Sequence, residues 1–132
     1  MQLPPNSIIA SGPVIIEENK VLLNKEKKDY GITPWLFPGG EVEDFDATLE
    51  EACKREAKEE MGIEVQIIKP LKPMMLHEKG RVIVLIHYLA RRIGDIKPGK
   101  DIVDWGWHDV YNLPGDCASN VHEVIKDYLA NT

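Results

Sequence analysis

The chain is short of several things, and each shortage removes a class of function. Of its 132 residues only two are cysteines, Cys53 and Cys117, so no disulfide framework is indicated. No apolar run approaches the roughly 20 residues that a membrane-crossing helix needs. Met1-Gln-Leu-Pro-Pro lacks the basic start and apolar centre of a signal peptide. These three features predict a reducing, cytoplasmic setting, with two free thiols and no membrane association. Positive charge is also scarce: 16 Lys and Arg stand against 22 Asp and Glu, a net charge of −6. Non-specific nucleic-acid binding needs a basic surface that displaces counterions, so nucleic acid is not an expected partner. An acidic chain can still receive a phosphate compound where a bound divalent cation reverses the local field. The four histidines, His77, His87, His108 and His122, show no metal-ligand spacing. His87, inside a long apolar run, reads as a hydrogen-bonded core residue.

The length suits one domain over residues 1–132 with a core of its own. Neither an internal repeat nor a low-complexity linker divides it. Ser7–Ile16 and Lys20–Asn24 read as strands of a hairpin joined by Glu-Glu-Asn, and polar Glu26–Thr33 reads as a loop. Glu64–Ile68 is a strand, after which Pro70 and Pro73 interrupt. Arg81–Arg91 is the longest strand; Val82–Ile86 is apolar on both faces, which predicts a central position. Trp105–His108 is a short strand. Asn120-Val-His-Glu123 offers a capping box for a terminal helix whose Val121, Val124, Ile125, Tyr128 and Leu129 face inward. Strands in mixed order around two helices favour an α/β sandwich over a Rossmann-type sheet.

Between these elements lies the segment that carries chemistry. Trp35-Leu36-Phe37 runs into Pro38-Gly39-Gly40, whose glycines permit close approach of backbone to ligand. A helix then starts near Thr48, where Thr48-Leu-Glu-Glu51 fits a capping box, and Gly62 is positioned to end it. At roughly 100° per residue, Leu49, Ala52, Cys53, Ala57 and Met61 form one apolar stripe. Glu56 and Glu60 fall in the middle of that stripe, and Glu59 lies on its edge. A buried carboxylate must be paired or bound to a cation. Arg55 is one available partner, but a single guanidinium cannot satisfy three carboxylates, whereas a divalent metal can.

Gly40 followed by Arg55-Glu56-Ala57-Lys58-Glu59-Glu60-Met61-Gly62-Ile63 resembles the box of the Nudix hydrolases, G-x5-E-x7-R-E-U-x-E-E-x-G-U with U aliphatic. Arg55, Glu56, Glu59, Glu60 and Gly62 fall in register, with Ala57 and Ile63 at the aliphatic positions. The first half departs from the pattern: Asp46 stands where a glutamate is usual, and the stretch from Gly40 to Arg55 is one residue longer. The resemblance implies an α/β/α sandwich with a mixed β-sheet between helices. It also implies hydrolysis of a nucleoside diphosphate linked to another group, with Mg²⁺ or Mn²⁺. The implied metal ligands are the Gly40 carbonyl, Glu56, Glu59 and Glu60, with Arg55 orienting a glutamate. Hard cations do take oxygen ligands of this kind.

The general base is left open among a box glutamate, Asp101 ahead of the late strand, and Glu78 before the long strand. Trp35 and Phe37 are candidates for contact with a base, Lys25 for steering phosphate, and Glu78 for substrate binding. Family members that favour ADP-ribose often carry a proline some way beyond the box, and those that favour dinucleoside polyphosphates a tyrosine. Glu78-Lys-Gly-Arg81 has neither, which favours a nucleoside triphosphate, ordinary or damaged. The expected partner is therefore a small-molecule nucleotide, with the protein a monomer or homodimer. The alternative is a nucleotide-sensing module of the same fold that has lost turnover, to which the altered Asp46 segment points.

Overall fold

A computed structural model describes residues 2–132. Eleven elements follow one another: β1 (Ile8–Val14), β2 (Ile16–Glu17), β3 (Lys20–Lys28), β4 (Gly31–Ile32), β5 (Gly40–Glu41), α1 (Leu49–Met61), β6 (Glu64–Pro70), β7 (Met74–Glu78), β8 (Arg81–Ile93), β9 (Ile102–Asp109) and α2 (Ser119–Ala130). One sheet runs β5-β1-β8-β6, with β7 also on β8; the other runs β2-β3-β4, with β9 also on β3. The β1–β8 pair is parallel and the remaining pairs are antiparallel, so the architecture is mixed α+β. As its two apolar faces demand, β8 is central, flanked by β1 on one side and by β6 and β7 on the other.

Two apolar clusters sit either side of this framework. Ile15, Leu22, Ala57, Met61, Ile63, Val65 and Ala90 gather under α1. Val14, Val21, Leu23, Phe37, Val110, Val121, Val124 and Ile125 gather under α2. Strand β3 therefore sends Leu22 toward α1 and Val21 and Leu23 toward α2, the alternation that a pleated strand imposes. Cys53 is fully buried, and desolvation pushes its thiol up to about 12. Cys117 is also unpaired. Among the described residues no helix is long and apolar enough to cross a membrane.

Several sequence expectations are corrected. The expected hairpin is confined to Ile16–Glu17 against Lys20–Val21, because β1 belongs to the other sheet and pairs with β5 and β8. The polar stretch expected as a loop is instead the end of β3 turning into β4, where Lys27 pairs with Ile32. Lys27, Lys28 and Asp29 are all exposed, and that polarity hid the strand. Strand β7 follows the proline interruption and was masked by it. The terminal helix starts at Ser119 after Ala118, which makes no side-chain cap. Asn120 lies inside its first turn, buried, with its amide against His87 Nε2 at 3.4 Å.

Candidate active site

Helix α1 is built as its caps require. Thr48 Oγ1 accepts from the Glu51 amide at 3.0 Å, and Gly62 adopts the left-handed conformation, φ 69°, that closes a helix with little strain. Between these ends the apolar stripe faces the core, and Glu56 goes with it: this carboxylate-bearing residue is only 8% exposed. Glu60 is half-buried, while Glu59 is exposed, as its place on the stripe's edge requires.

Strand β5 runs directly over this face. A Cβ at Gly40 would collide with the Glu56 carboxylate, so glycine there is what lets that head keep its place. Glu60 Oε1 accepts from the Gly39 amide at 3.1 Å and from Asn24 Nδ2 at 3.3 Å. Arg55 serves the other side of the cluster, donating to Glu59 at 3.0 Å and to Glu56 at 3.4 Å. Its remaining edge grips Asp46 through Nε at 2.9 Å and Nη2 at 2.8 Å. The shorter acid at the end of the longer turn is thus the anchor of Arg55, and the guanidinium holds the Asp46 carboxyl down to about 2. Burial pushes the Glu56 and Glu60 carboxyls well above the usual carboxylate range, with Glu26 adding to the effect at Glu60. Two acids made reluctant to ionise by burial are a donor set that a divalent cation relieves.

A cavity of about 300 Å³ opens onto this cluster, lined by Glu26, Lys28, Glu56, Glu59, Glu60, Lys100 and Asp101 among others. Among the described residues no three acids, histidines or cysteines already stand together as a metal-ligand group, since Glu56 and Glu59 turn to Arg55 and Glu60 turns to Gly39. The residues nevertheless fit a hard cation: the acids are oxygen donors, Glu56 is buried and Glu60 half-buried, and Gly40 leaves room for the Glu56 head beside its backbone.

A second cavity, of about 330 Å³ and mostly apolar, begins at the same Gly39–Gly40 strip. Its walls include Tyr30, Phe37, Leu76, Leu85, His87 and Asn120. Lys28 borders both cavities. Phe37 meets His87 edge-on, with ring centroids 5.1 Å apart.

The residues singled out in the sequence divide between these places. Glu56, Glu59, Glu60 and Asp101 line the acidic cavity, and Gly40 the apolar one, while its backbone covers Glu56. Phe37 and Glu78 line the apolar cavity, so Glu78 and Asp101 are not neighbours. Trp35 and Lys25 are in neither. Lys25 Nζ bonds Asp116 at 2.8 Å and lies 4.8 Å from the Trp35 ring, and Trp35 packs against the α2 cluster. The residue that sequence reasoning passed over is Glu26, 7% exposed and aimed into the acidic cavity from β3. Its signal was present: Leu22, Asn24 and Glu26 alternate along one strand face, and that face is the one turned to α1.

Comparison with known proteins agrees with this arrangement. A family model described as NUDIX domain matches residues 7–128. An ADP-ribose pyrophosphatase of Methanocaldococcus jannaschii is 34% identical over 125 residues, covering 92% of this chain and 72% of the relative. An 8-oxo-dGTP diphosphatase of Buchnera aphidicola is 40% identical over 53 residues, 39% of this chain and 40% of that protein. Among solved structures, the MutT protein of Methanosarcina mazei superposes with a TM-score of 0.84 at 19% identity, covering 99% of this chain and 97% of that one. With the family model spanning nearly its whole length and the acids of its helix gathered under a Gly-Gly strand, this chain belongs to the Nudix family and is a Nudix hydrolase.

Proposed function

We propose that the protein hydrolyses the diphosphate linkage of a nucleoside diphosphate derivative, with Mg²⁺ or Mn²⁺, and that a nucleoside triphosphate, ordinary or damaged, is its substrate. The observation that carries this reading is the Gly39–Gly40 strip, which lines the apolar cavity and lies directly against Glu60 and Glu56 of the acidic one. A base in the apolar cavity leaves its phosphates over the glycine strip and beside the acids. Glu56 and Glu60, one helical turn apart, hold the cation together with the Gly40 carbonyl, and Glu59 serves a further position. When bound, the cation supplies charge neutralisation for the diphosphate oxygens and a more acidic water. Arg55 keeps Glu56 and Glu59 in place and is itself held by Asp46. Asp101, which lines the acidic cavity, takes the proton of the attacking water at its carboxylate. Glu78, across the other cavity, borders the base.

A second reading, ADP-ribose as substrate, is favoured by the name of the Methanocaldococcus jannaschii relative. A panel of nucleoside triphosphates, damaged triphosphates and ADP-ribose, with product analysis, separates the two. Turnover is expected to require Mg²⁺ or Mn²⁺ and to stop with a chelator. Glu56→Gln and Glu60→Gln are each expected to lower kcat by orders of magnitude with the fold intact. Asp101→Asn lowers the rate and Glu78→Gln leaves it nearly unchanged; the reverse pattern makes Glu78 the base. Tight nucleotide binding without turnover by the unaltered protein makes it a sensor rather than an enzyme.

A further inference from the structure

One buried acid beside the cluster, Glu26, lies outside the family pattern. The Glu26 side chain is 10% exposed; it is ion-paired with Lys28 Nζ at 3.6 Å, beyond hydrogen-bond reach, and its other neighbour is the Glu60 carboxyl. Two carboxyls buried side by side are costly when both are charged, and one ion pair at 3.6 Å offsets that only in part. The backbone of Glu26 is firmly set. The Glu26 amide donates to Thr33 Oγ1 at 2.9 Å, its carbonyl accepts from the Thr33 amide at 2.9 Å, and the pairing of β3 with β9 shifts register between Lys25 and Glu26. Bulges of this kind re-aim a side chain, often beside an active site. Here the side chain enters the acidic cavity and faces Glu60 across it.

Glu60 is prepared on its own side. Both of its donors, the Gly39 amide and Asn24 Nδ2, go to Oε1, which leaves Oε2 without one. Arg55 reaches Glu56 and Glu59 but not these oxygens. Two walls of one cavity thus face each other with carboxylates, and the cation paired with them is Lys28, at 3.6 Å from Glu26.

We infer that Glu26 is a metal ligand supplied from β3, joining Glu60 across the acidic cavity to hold a divalent cation on the side of the cluster that Arg55 does not serve. Mg²⁺ and Mn²⁺ take oxygen ligands and keep waters in their remaining positions, so two carboxylates from separate elements suffice to seat one. The cation then ties β3 to α1, and the charge that Glu26 brings toward a diphosphate is offset. This assignment rests on the metal-dependent reading of the same site.

The test measures Mn²⁺ uptake by the full, nucleotide-free chain, from the electron paramagnetic resonance signal of the free ion. Glu26→Gln, which keeps the shape and removes the charge, is expected to weaken Mn²⁺ binding by about ten-fold or more. The same change is expected to raise the melting temperature of the metal-free protein. Glu26→Asp keeps the charge but withdraws it by one methylene. It is expected to bind Mn²⁺ with intermediate affinity and to provide a folded variant should Glu26→Gln unfold. Unchanged Mn²⁺ affinity in the folded variants overturns the inference and leaves Glu26 as a partner that shares a proton with Glu60. No Mn²⁺ uptake by the unaltered chain overturns the metal-dependent reading as a whole, a result distinct from failure of Glu26 alone.

Discussion

At the scale of single residues, the structure shows polar groups placed where only a specific partner makes them tolerable. Asp46 is tolerable through two hydrogen bonds from Arg55, at the end of a turn one residue longer than the family pattern. His87 is a different case. It is 4% exposed, lies between Phe37 and Asn120, and burial lowers its pKa from 6.5 to about 4. Below pH 6.5 the unfolded chain takes up a proton that the folded chain refuses until about pH 4. The unfolded state therefore binds more protons across that window, and stability falls as pH falls through it. The loss is on the order of 3 kcal/mol for this group. Denaturant unfolding at pH 7 and at pH 4.5 is expected to show a smaller difference for His87→Asn than for the unaltered protein; equal differences would sink the argument.

At the scale of the element, α1 and the strand above it separate stability from function. Thr48 caps the helix far from the acids, so Thr48→Ala is expected to cost about 1 kcal/mol of stability while leaving turnover per folded molecule unchanged. Gly40→Ala is the converse. Its backbone is not in the left-handed region, but the new Cβ displaces the Glu56 carboxylate. Misplacement of a catalytic group by about 1 Å can cost about 10²-fold in rate, and a loss of that order is expected with little change in melting temperature. Thermal unfolding and initial rates on both variants check the pair. A drop in activity for the Thr48 variant equal to that of the Gly40 variant would mean that the helix, rather than its acids, limits the reaction.

Legibility also divided by element. Helix α1 could be read because its period of apolar residues is regular and its two caps are local signals, Thr48 and Gly62. The acids were conspicuous because they broke that period. Strand β8 could be read because it is apolar on both faces. The end of β3 and all of β4 could not, since Lys27, Lys28 and Asp29 are exposed and their pairing is set by a partner strand rather than by local preference. Glu26 was missed for that reason: once its segment was read as a loop, no face remained for its side chain to point from. Asn120 misled in the opposite direction. It has the chemistry of a cap but is buried against His87, a contact between residues 33 positions apart.

At the scale of the whole molecule, the two apolar clusters place α1 and α2 against different faces of β3, and both cavities are lined by residues that are distant in sequence. A ligand that binds only these assembled residues stabilises the fold by mass action, by about 2.7 kcal/mol at a hundred times its Kd. Saturating Mn²⁺ is accordingly expected to raise the melting temperature, and a chelator to return it to the metal-free value. Glu56→Gln should abolish most of the rise. A melting temperature indifferent to Mn²⁺ would mean that the cation does not distinguish the folded from the unfolded chain.

The amino-acid sequence by itself determined the helix, its caps and the presence of acids on its buried face, because periodicity and capping act over a few residues. It determined the family as well, since the spacing of Arg55, Glu56, Glu59, Glu60 and Gly62 is a local pattern. Only the tertiary structure decided that Asp46 anchors Arg55, that Glu26 enters from β3, and that Trp35 and Lys25 stand away from the acids. Those placements depend on which strands pair and in what register, and pairing is a contest among distant segments that no single segment records.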